Sequence, residues 1–407
     1  MNIEILSIGD ELLSGHTVNT NASVISQKLL SHGYAVDRVT YLPDDPTRLK
    51  EGIEEAMKRS SFLITSGGLG PTGDDLTRDI MAEIYGTSLF YDEAIAADLI
   101  ERFGFNLPTL KDQAMVPKGA TIIPNTLGTA PGFILEGEAT AMVLPGVPSQ
   151  MESMLECVVS HLEKHSLKKH AIETLYLALL SEQQVDPYLR ILEKEYPGVQ
   201  IGICPSYGVL SVYLHAEDQS VLRPIRDKIA EKFQTHVYSR SSKQIEVALQ
   251  EWMVSNNKTL AAGESCTGGR LASTLTSHAG SSDYFLGGIV SYSNRLKESA
   301  LGVSSETLKT HGAVSQEVVV EMAKGVKNLT GADYILTTSG IAGPSGGTLD
   351  KPVGTVWMAI VTPEKTFSGL LPIKHSAGKR GLVIDYSVTY LLASLYLYLN
   401  YDIEPFS

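Results

Sequence analysis

At 407 residues, with 43% apolar and 19% charged side chains, the chain has material for two or three domains and is too apolar to stay disordered. A formal net charge of −13 argues against direct nucleic-acid binding, which draws its affinity from clustered lysine and arginine. Its three cysteines, Cys157, Cys204 and Cys266, are scattered, which fits a reducing cytoplasm and gives neither a disulfide framework nor a zinc site.

The chain enters directly on the apolar run 3–8, read as a strand and not as a signal peptide. Ala22, Ile25 and Leu29 then recur at helical spacing over 19–32. Residues 35–42 read as a strand, 46–59 as a helix and 62–65 as a short buried strand. Strands at 133–135 and 141–144 and a helix over 148–165 follow. This alternation over 1–170 predicts a largely parallel sheet with helices on both faces and ligands at the carboxyl ends of the strands.

A smaller unit, 171–240, has strand-like 175–180 and 210–215 between helix-like 182–196 and 219–233. The third unit, 243–407, opens on a helix marked by Ile245, Leu249 and Trp252, then alternates again to a C-terminal helix. Ser239-Arg240-Ser241-Ser242 is the linker candidate. The fold class is therefore α/β, two α/β domains with a small α+β module between them. Residues 381–401 are long enough to span a bilayer. Asp385, Ser387, Thr389, Ser394 and Asn400 interrupt them, and no basic flank follows, so a buried or interface helix is expected and no membrane partner.

Chemistry-bearing residues gather at the predicted strand ends. Gly9-Asp10-Glu11 closes the first strand, Pro43-Asp44-Asp45 the second, and a loop containing Gly67, Gly68, Gly70, Thr72, Asp74, Asp75 and Thr77 the third. Glycines let backbone N–H groups approach a phosphate, and Asp10, Glu11, Asp44, Asp74 and Asp75 offer oxygen ligands to a hard divalent cation. Each acid taken alone is as readily a turn residue or helix cap.

In the third unit, Ser265 sits in the turn Gly263-Glu264-Ser265-Cys266-Thr267-Gly268-Gly269, after a strand and before a helix. That geometry exposes a hydroxyl and aims free helix N–H groups at a docked anion. Ser265 alone also reads as a helix cap, Lys297 as a surface lysine, and Glu264 as either an orienting or an exposed acid. Cys266 is the rival nucleophile, but a thiol amidase recruits a histidine, and the sequence does not place His278 or His311.

Gly9-Asp10-Glu11-Leu12-Leu13, Asn19-Thr20-Asn21, Gly67-Gly68-Leu69-Gly70-Pro71-Thr72, Gly128-Thr129-Ala130-Pro131-Gly132-Phe133 and Leu144-Pro145-Gly146-Val147-Pro148 resemble the molybdopterin-binding-type domain of the CinA (competence/damage-inducible) family. Glu264-Ser265-Cys266-Thr267-Gly268-Gly269, Tyr292-Ser293-Asn294 with Lys297, His311-Gly312-Ala313-Val314-Ser315, Gly340-Ile341-Ala342-Gly343-Pro344 and Lys351-Pro352-Val353-Gly354-Thr355 resemble its nicotinamide-nucleotide amidase domain. The likeness runs over nearly the whole chain in the family's order. Residues 171–240 match by position, where a KH-like module is expected. They lack the G-x-x-G loop of RNA-binding KH domains, which leaves a spacer or dimerisation role.

The resemblance implies small-molecule nucleotides as partners, a homodimer, and two activities. The third unit would hydrolyse nicotinamide mononucleotide to nicotinate mononucleotide and ammonia without a cofactor. Ser265 would be the nucleophile, Lys297 the base and Tyr292 a supporting hydroxyl, with Thr267, Gly268, Gly269, Gly340 and Gly343 binding substrate. The first would cleave the diphosphate of ADP-ribose with a divalent metal. Gly67, Gly68, Gly70, Thr72 and Thr77 would bind the nucleotide there, and the five acids the metal. The family commonly has Asp where Ser345 stands, a basic residue near Ile384 and Asn near Leu110. Two other readings stay open: pterin or nucleotide binding without turnover, and a regulatory role in DNA uptake or repair.

Overall fold

The structure is a computed structural model and describes residues 2–104, 108–167, 169–372 and 379–406. It divides into two compact units, Met1–Ile172 and Glu173–Ser407. Both units are mixed α/β, as the residue patterns predict.

The first unit holds β1 (Ile3–Ile8), β2 (Arg38–Leu42) and β3 (Phe62–Ser66), then a small antiparallel ribbon of β4 (Leu89–Tyr91) and β5 (Met115–Pro117). Next come β6 (Thr121–Ile123), β7 (Gly132–Leu135) and β8 (Thr140–Leu144). The main sheet runs β2-β1-β3-β8-β7-β6. Its first four strands are parallel, while β7 and β6 are antiparallel additions. β1, β3 and β8 are buried throughout because helices cover both faces, which is why they read as apolar runs without alternation. Ile3, Ile5, Ile64 and Met142 pack with helices Asn21–Ser31 and Pro148–Leu162. Leu6, Ile8, Leu63 and Val143 pack with helices Pro46–Arg59 and Thr77–Ile84 on the opposite face. The second strand begins at Arg38, three residues after its expected start at 35.

One charge lies in this core. Glu4 on β1 is fully buried, and burial pushes its carboxyl up. Hydrogen bonds from Arg59, Thr40 and Ser60 outweigh that and hold it below its ordinary value.

The second unit begins within β9 (Ala171–Ala178), which joins β10 (Gln200–Ser206), β11 (Val209–Ala216) and β12 (Val237–Ser239) in the order β10-β11-β9-β12. Sequence reading missed β10 and β12. β10 is a mostly exposed edge strand carrying Gly202 and Pro205, and β12 has three residues, so neither offers an apolar run.

A five-stranded sheet follows, from β13 (Leu260–Glu264), β14 (Phe285–Val290), β15 (Tyr334–Gly340), β16 (Val356–Val361) and β17 (Thr366–Leu370). Its order is β14-β13-β15-β16-β17, with β14 and β15 flanking β13 in parallel and the last two strands antiparallel.

The expected linker at 239–242 does not separate compact bodies. Ala178, Val209 and Tyr238 share one buried cluster with Ile245, Leu249, Leu392 and Leu395. The hydroxyls of Tyr396 and Tyr401 donate to the carbonyls of Tyr238 and Val237. Helix Arg380–Tyr401 is long and apolar enough to cross a membrane by length and composition. Val383, Val388, Leu391, Leu392, Leu395 and Leu397 are buried in this same cluster.

This shared core predicts how fragments behave. Residues 173–407 should melt in one cooperative transition. Residues 243–407 should melt about 5 °C or more lower, because losing the partners of three core side chains costs several kcal/mol. Equal melting temperatures by circular dichroism would show that the segment 173–240 contributes nothing to the core.

Candidate active site

β13 lies between two parallel neighbours, one earlier and one later crossover, so the carboxyl ends of β13, β14 and β15 open into a crevice. Glu264 ends β13 and is fully buried. Its Oε2 accepts from the N–H groups of Gly269 (2.9 Å) and Leu271 (3.0 Å), and its Oε1 from Ala272 (2.9 Å). Glu264 is thus the cap of helix Arg270–Leu275. That corrects the expectation that these N–H groups point at a ligand: a carboxylate of the chain itself occupies them. Ser265 follows directly, its N–H tied to Thr338 O at 3.0 Å, and Thr267 Oγ1 lies 2.8 Å from Thr338 Oγ1.

The second component comes from β14. The Ser291 N–H donates to Glu264 O, and Ser293 caps helix Asn294–Leu301, whose first turns carry Lys297. Gly325 on helix Gln316–Thr330 sets the seating of that helix. A Cβ there would stand 2.0 Å from Leu301 O, so only glycine permits the approach.

Lys297 is 1% exposed, and its Nζ lies 2.8 Å from Ser265 Oγ and 2.8 Å from the Ser291 carbonyl to which it donates. Burial, opposed by the neighbouring Cys266, lowers the lysine below its ordinary value. No carboxylate pairs with it among the described residues. Burial pushes the Cys266 thiol up to about 12, so it stays protonated and is a poor nucleophile. His278 and His311 pair with Glu246 and Glu317 and do not line the cavity.

A cavity of about 280 Å³ opens above the pair. Gly340, Gly343, Asn294, Ser345 and Arg380 border it together with Ser265, Cys266, Tyr292 and Lys297. Lys351 holds its wall by donating to the carbonyls of His311 and Val314 at 2.7 Å each. Three expected binding residues are elsewhere: Thr267 is locked into the core, and Gly268 and Gly269 form the turn beneath Glu264. Tyr292 is 60% exposed, and its hydroxyl accepts from Arg380 Nη2 at 2.9 Å; no bond joins it to Lys297. Arg380 also donates to Gly343 O, which holds its guanidinium on the cavity wall. Sequence reading missed Arg380 and Asn294; the signal for Arg380 was a lone arginine opening an apolar helix.

The first unit repeats the arrangement, since β1 lies between β2 and β3. Asp10 and Asp44 face each other at the ends of β1 and β2, with the Asp10 N–H 3.0 Å from Asp44 Oδ2. Burial, together with the charges of Asp10, Glu11 and Asp74 and opposed by the Asp10 N–H, raises Asp44. Asp75 is a turn acid: its Oδ2 accepts from Thr72 N–H and Oγ1, which also ties down Thr72. Thr77 is buried and fastens the glycine loop by donating to Gly67 O. Gly67 is required by packing, because a Cβ would stand 2.2 Å from Ile8 O. Gly68 abuts Thr77 and Gly70 abuts Asp75 in the same way. Asn21, left out of the expected set, spans Ser66 and Gly146 with its amide nitrogen while its Oδ1 is buried without a partner.

A family model for the CinA C-terminal domain matches residues 242–399, and one described as "Probable molybdopterin binding domain" matches residues 4–165. A CinA-like protein of Prochlorococcus marinus (strain AS9601) is 37% identical over 413 residues, spanning 98% of this chain and 97% of its own. One from Citrifermentans bemidjiense is 39% identical over 370 residues, 89% of each chain. The chain belongs to the CinA family. Among solved structures, the competence damage-inducible protein A from Klebsiella pneumoniae is 36% identical and covers 37% of this chain and 92% of its own, at a TM-score of 0.36.

Within this CinA-family chain the sequence departures acquire places. Ser345 puts a neutral hydroxyl on the cavity wall, and Ile384 packs on the core while Arg380, one turn earlier, carries the charge. Leu110 opens the short helix Leu110–Gln113, in which Gln113 is buried with both amide atoms unpartnered.

The cap gives a direct expectation. Glu264→Gln keeps the shape but turns an N–H₂ group toward backbone donors, so chemical denaturation should show the second unit less stable by about 1–3 kcal/mol. Unchanged stability would mean that the three contacts carry no net weight.

Proposed function

We propose that the second unit hydrolyses the carboxamide of nicotinamide mononucleotide, giving nicotinate mononucleotide and ammonia. The observation that carries this reading is the 2.8 Å approach of Lys297 Nζ to Ser265 Oγ, with both side chains buried at the edge of the cavity. A buried lysine without a carboxylate is disposed to be neutral, and a neutral amine accepts the serine proton as Oγ attacks the carboxamide carbon. The resulting ammonium then protonates the departing nitrogen, releasing ammonia and leaving an ester on Ser265. Water, deprotonated by the same amine, hydrolyses that ester and restores the hydroxyl.

The N–H of Cys266, the residue after the nucleophile, makes no backbone–backbone hydrogen bond among the described residues and is the donor assigned to the developing oxyanion. Arg380, shared between Tyr292 and Gly343, supplies the charge for the substrate phosphate. The pyridinium of the substrate also favours a neutral Lys297 by like-charge repulsion.

The first unit supports a second reading, metal-dependent cleavage of the ADP-ribose diphosphate to AMP and ribose 5-phosphate. Its support is the meeting of Asp10 and Asp44 at the ends of β1 and β2, the sheet's switch point, where burial and the neighbouring acids raise Asp44. No three of the expected carboxylates have oxygens all within 4.8 Å of one another among the described residues. Such a spread set fits a cation that keeps several waters and is completed by substrate phosphates. Asp10, Glu11, Asp44 and Asp74 are the residues that would hold it, and the cation would neutralise charge on the diphosphate.

The dyad makes a sharp prediction. Ser265→Ala, Lys297→Met and the double variant should each lose about 10³-fold or more in ammonia release, and by similar factors, because the two residues act as a unit. Cys266→Ala should keep most of the activity. Since the working lysine is uncharged and burial lowers its pKa, kcat/KM should rise with pH and level off below the ordinary lysine value of 10.5. Retained turnover in Ser265→Ala would refute the mechanism.

Arg380 makes a separate one. Arg380→Ala should raise KM for the mononucleotide but change little for nicotinamide riboside, which has no phosphate. Tyr292→Phe should act through KM in the same direction and leave the pH rise in place. Equal losses on both substrates would remove Arg380 from phosphate recognition.

A further inference from the structure

At the opposite end of the first sheet from its acidic cluster, three side chains converge. Glu136 lies in the turn after β7, His161 in the last turn of helix Pro148–Leu162, and His165 four residues on. Their donor atoms all lie within 4.8 Å of one another, and no other group of three His, Cys, Asp or Glu does so among the described residues. Glu136 Oε1 is 3.0 Å from His161 Nε2, which is 3.3 Å from His165 Nε2. We propose that Glu136, His161 and His165 form a binding site for a borderline divalent transition cation, with Zn²⁺ as its representative.

The spacing is that of a coordination face. Metal–nitrogen bonds of about 2.0–2.1 Å at tetrahedral angles place neighbouring donors about 3.3 Å apart. Both measured edges lie close to that value. Two imidazoles and one carboxylate select a borderline cation over Mg²⁺ or Ca²⁺, which take oxygen sets.

The surroundings are built to hold the donors. Buried Thr140, at the start of β8, donates its Oγ1 to Glu136 Oε2 at 2.8 Å and leaves Oε1 facing His161. His165 packs edge-on against Phe62 at the start of β3, with ring centroids 5.0 Å apart. His161 is 8% exposed, whereas Glu136 is exposed and supplies an entry side. A cation here would clamp the end of the helix to the β7–β8 turn. The site is independent of the oxygen cluster at the far ends of β1 and β2.

The test uses the full chain with Cys157→Ser, which removes an exposed thiol from the same helix. Equilibrium dialysis against Zn²⁺ should find one tight site, and Co²⁺ should give the visible bands of a low-coordinate nitrogen/oxygen site. Glu136→Gln and His165→Gln, at exposed and half-buried positions, should each weaken Zn²⁺ binding about 100-fold or more. They should also abolish the rise in melting temperature that Zn²⁺ gives the parent. Millimolar Mg²⁺ should not displace the ion. Three results would each overturn the proposal: no tight site in the parent, variants that bind as the parent does, or displacement by Mg²⁺.

Discussion

The second unit is organised around the Glu264 carboxylate. A strand, a turn and a helix meet at this residue, and each would leave polar groups unpaired in a buried region if it were absent. The carboxylate closes the helix N-terminus, while the same residue's carbonyl receives the Ser291 N–H from the neighbouring strand. Ser265 and the Ser291 carbonyl are therefore fixed from one anchor, and Lys297 is bonded to both. The dyad is held by the backbone tie between Glu264, next to Ser265, and Ser291, whose carbonyl accepts from Lys297.

Lysine 297 shows what such a frame permits. A primary amine with no anionic partner is expensive to bury charged, so its surroundings favour the neutral form. The same burial that lowers the lysine raises the Cys266 thiol, because desolvation disfavours both the ammonium and the thiolate. One environment thus favours a neutral amine beside Ser265 and a protonated thiol at Cys266. Gly325 contributes by letting two helices touch, so that the helix carrying Lys297 sits deep enough for its amine to reach the strand end.

The first unit uses the same topology with different chemistry. Its first strand, β1, also has parallel neighbours on both sides, and its crevice is likewise lined at the strand ends. There the polar residues are acids, of which Asp44 is raised by burial and by its acidic neighbours, together with the Asn21 Oδ1, which is buried without a partner. Buried orphan groups of this kind mark a place where another molecule completes the hydrogen bonding.

The sequence by itself displayed the alternation of the main strands and helices and the gathering of polar residues at strand ends, and its likeness to a known family singled out Ser265 and Lys297. Strand-buried apolar runs, helical spacing and glycine turns are local patterns, and local patterns are what a sequence displays. It did not decide the partners of those residues. Glu264 reads as an orienting or exposed acid until the turn folds its carboxylate back onto the helix. Thr77 and Asp75 read as ligands until the glycine loop closes on them. Tyr292 and Arg380 lie 88 residues apart, and nothing local links them. The same holds for the join at 239–242: its serines and arginine look like a linker, but flanking Tyr238 and Ile245 enter one core. Burial and pairing are properties of distant segments brought together, so only the tertiary structure could assign them.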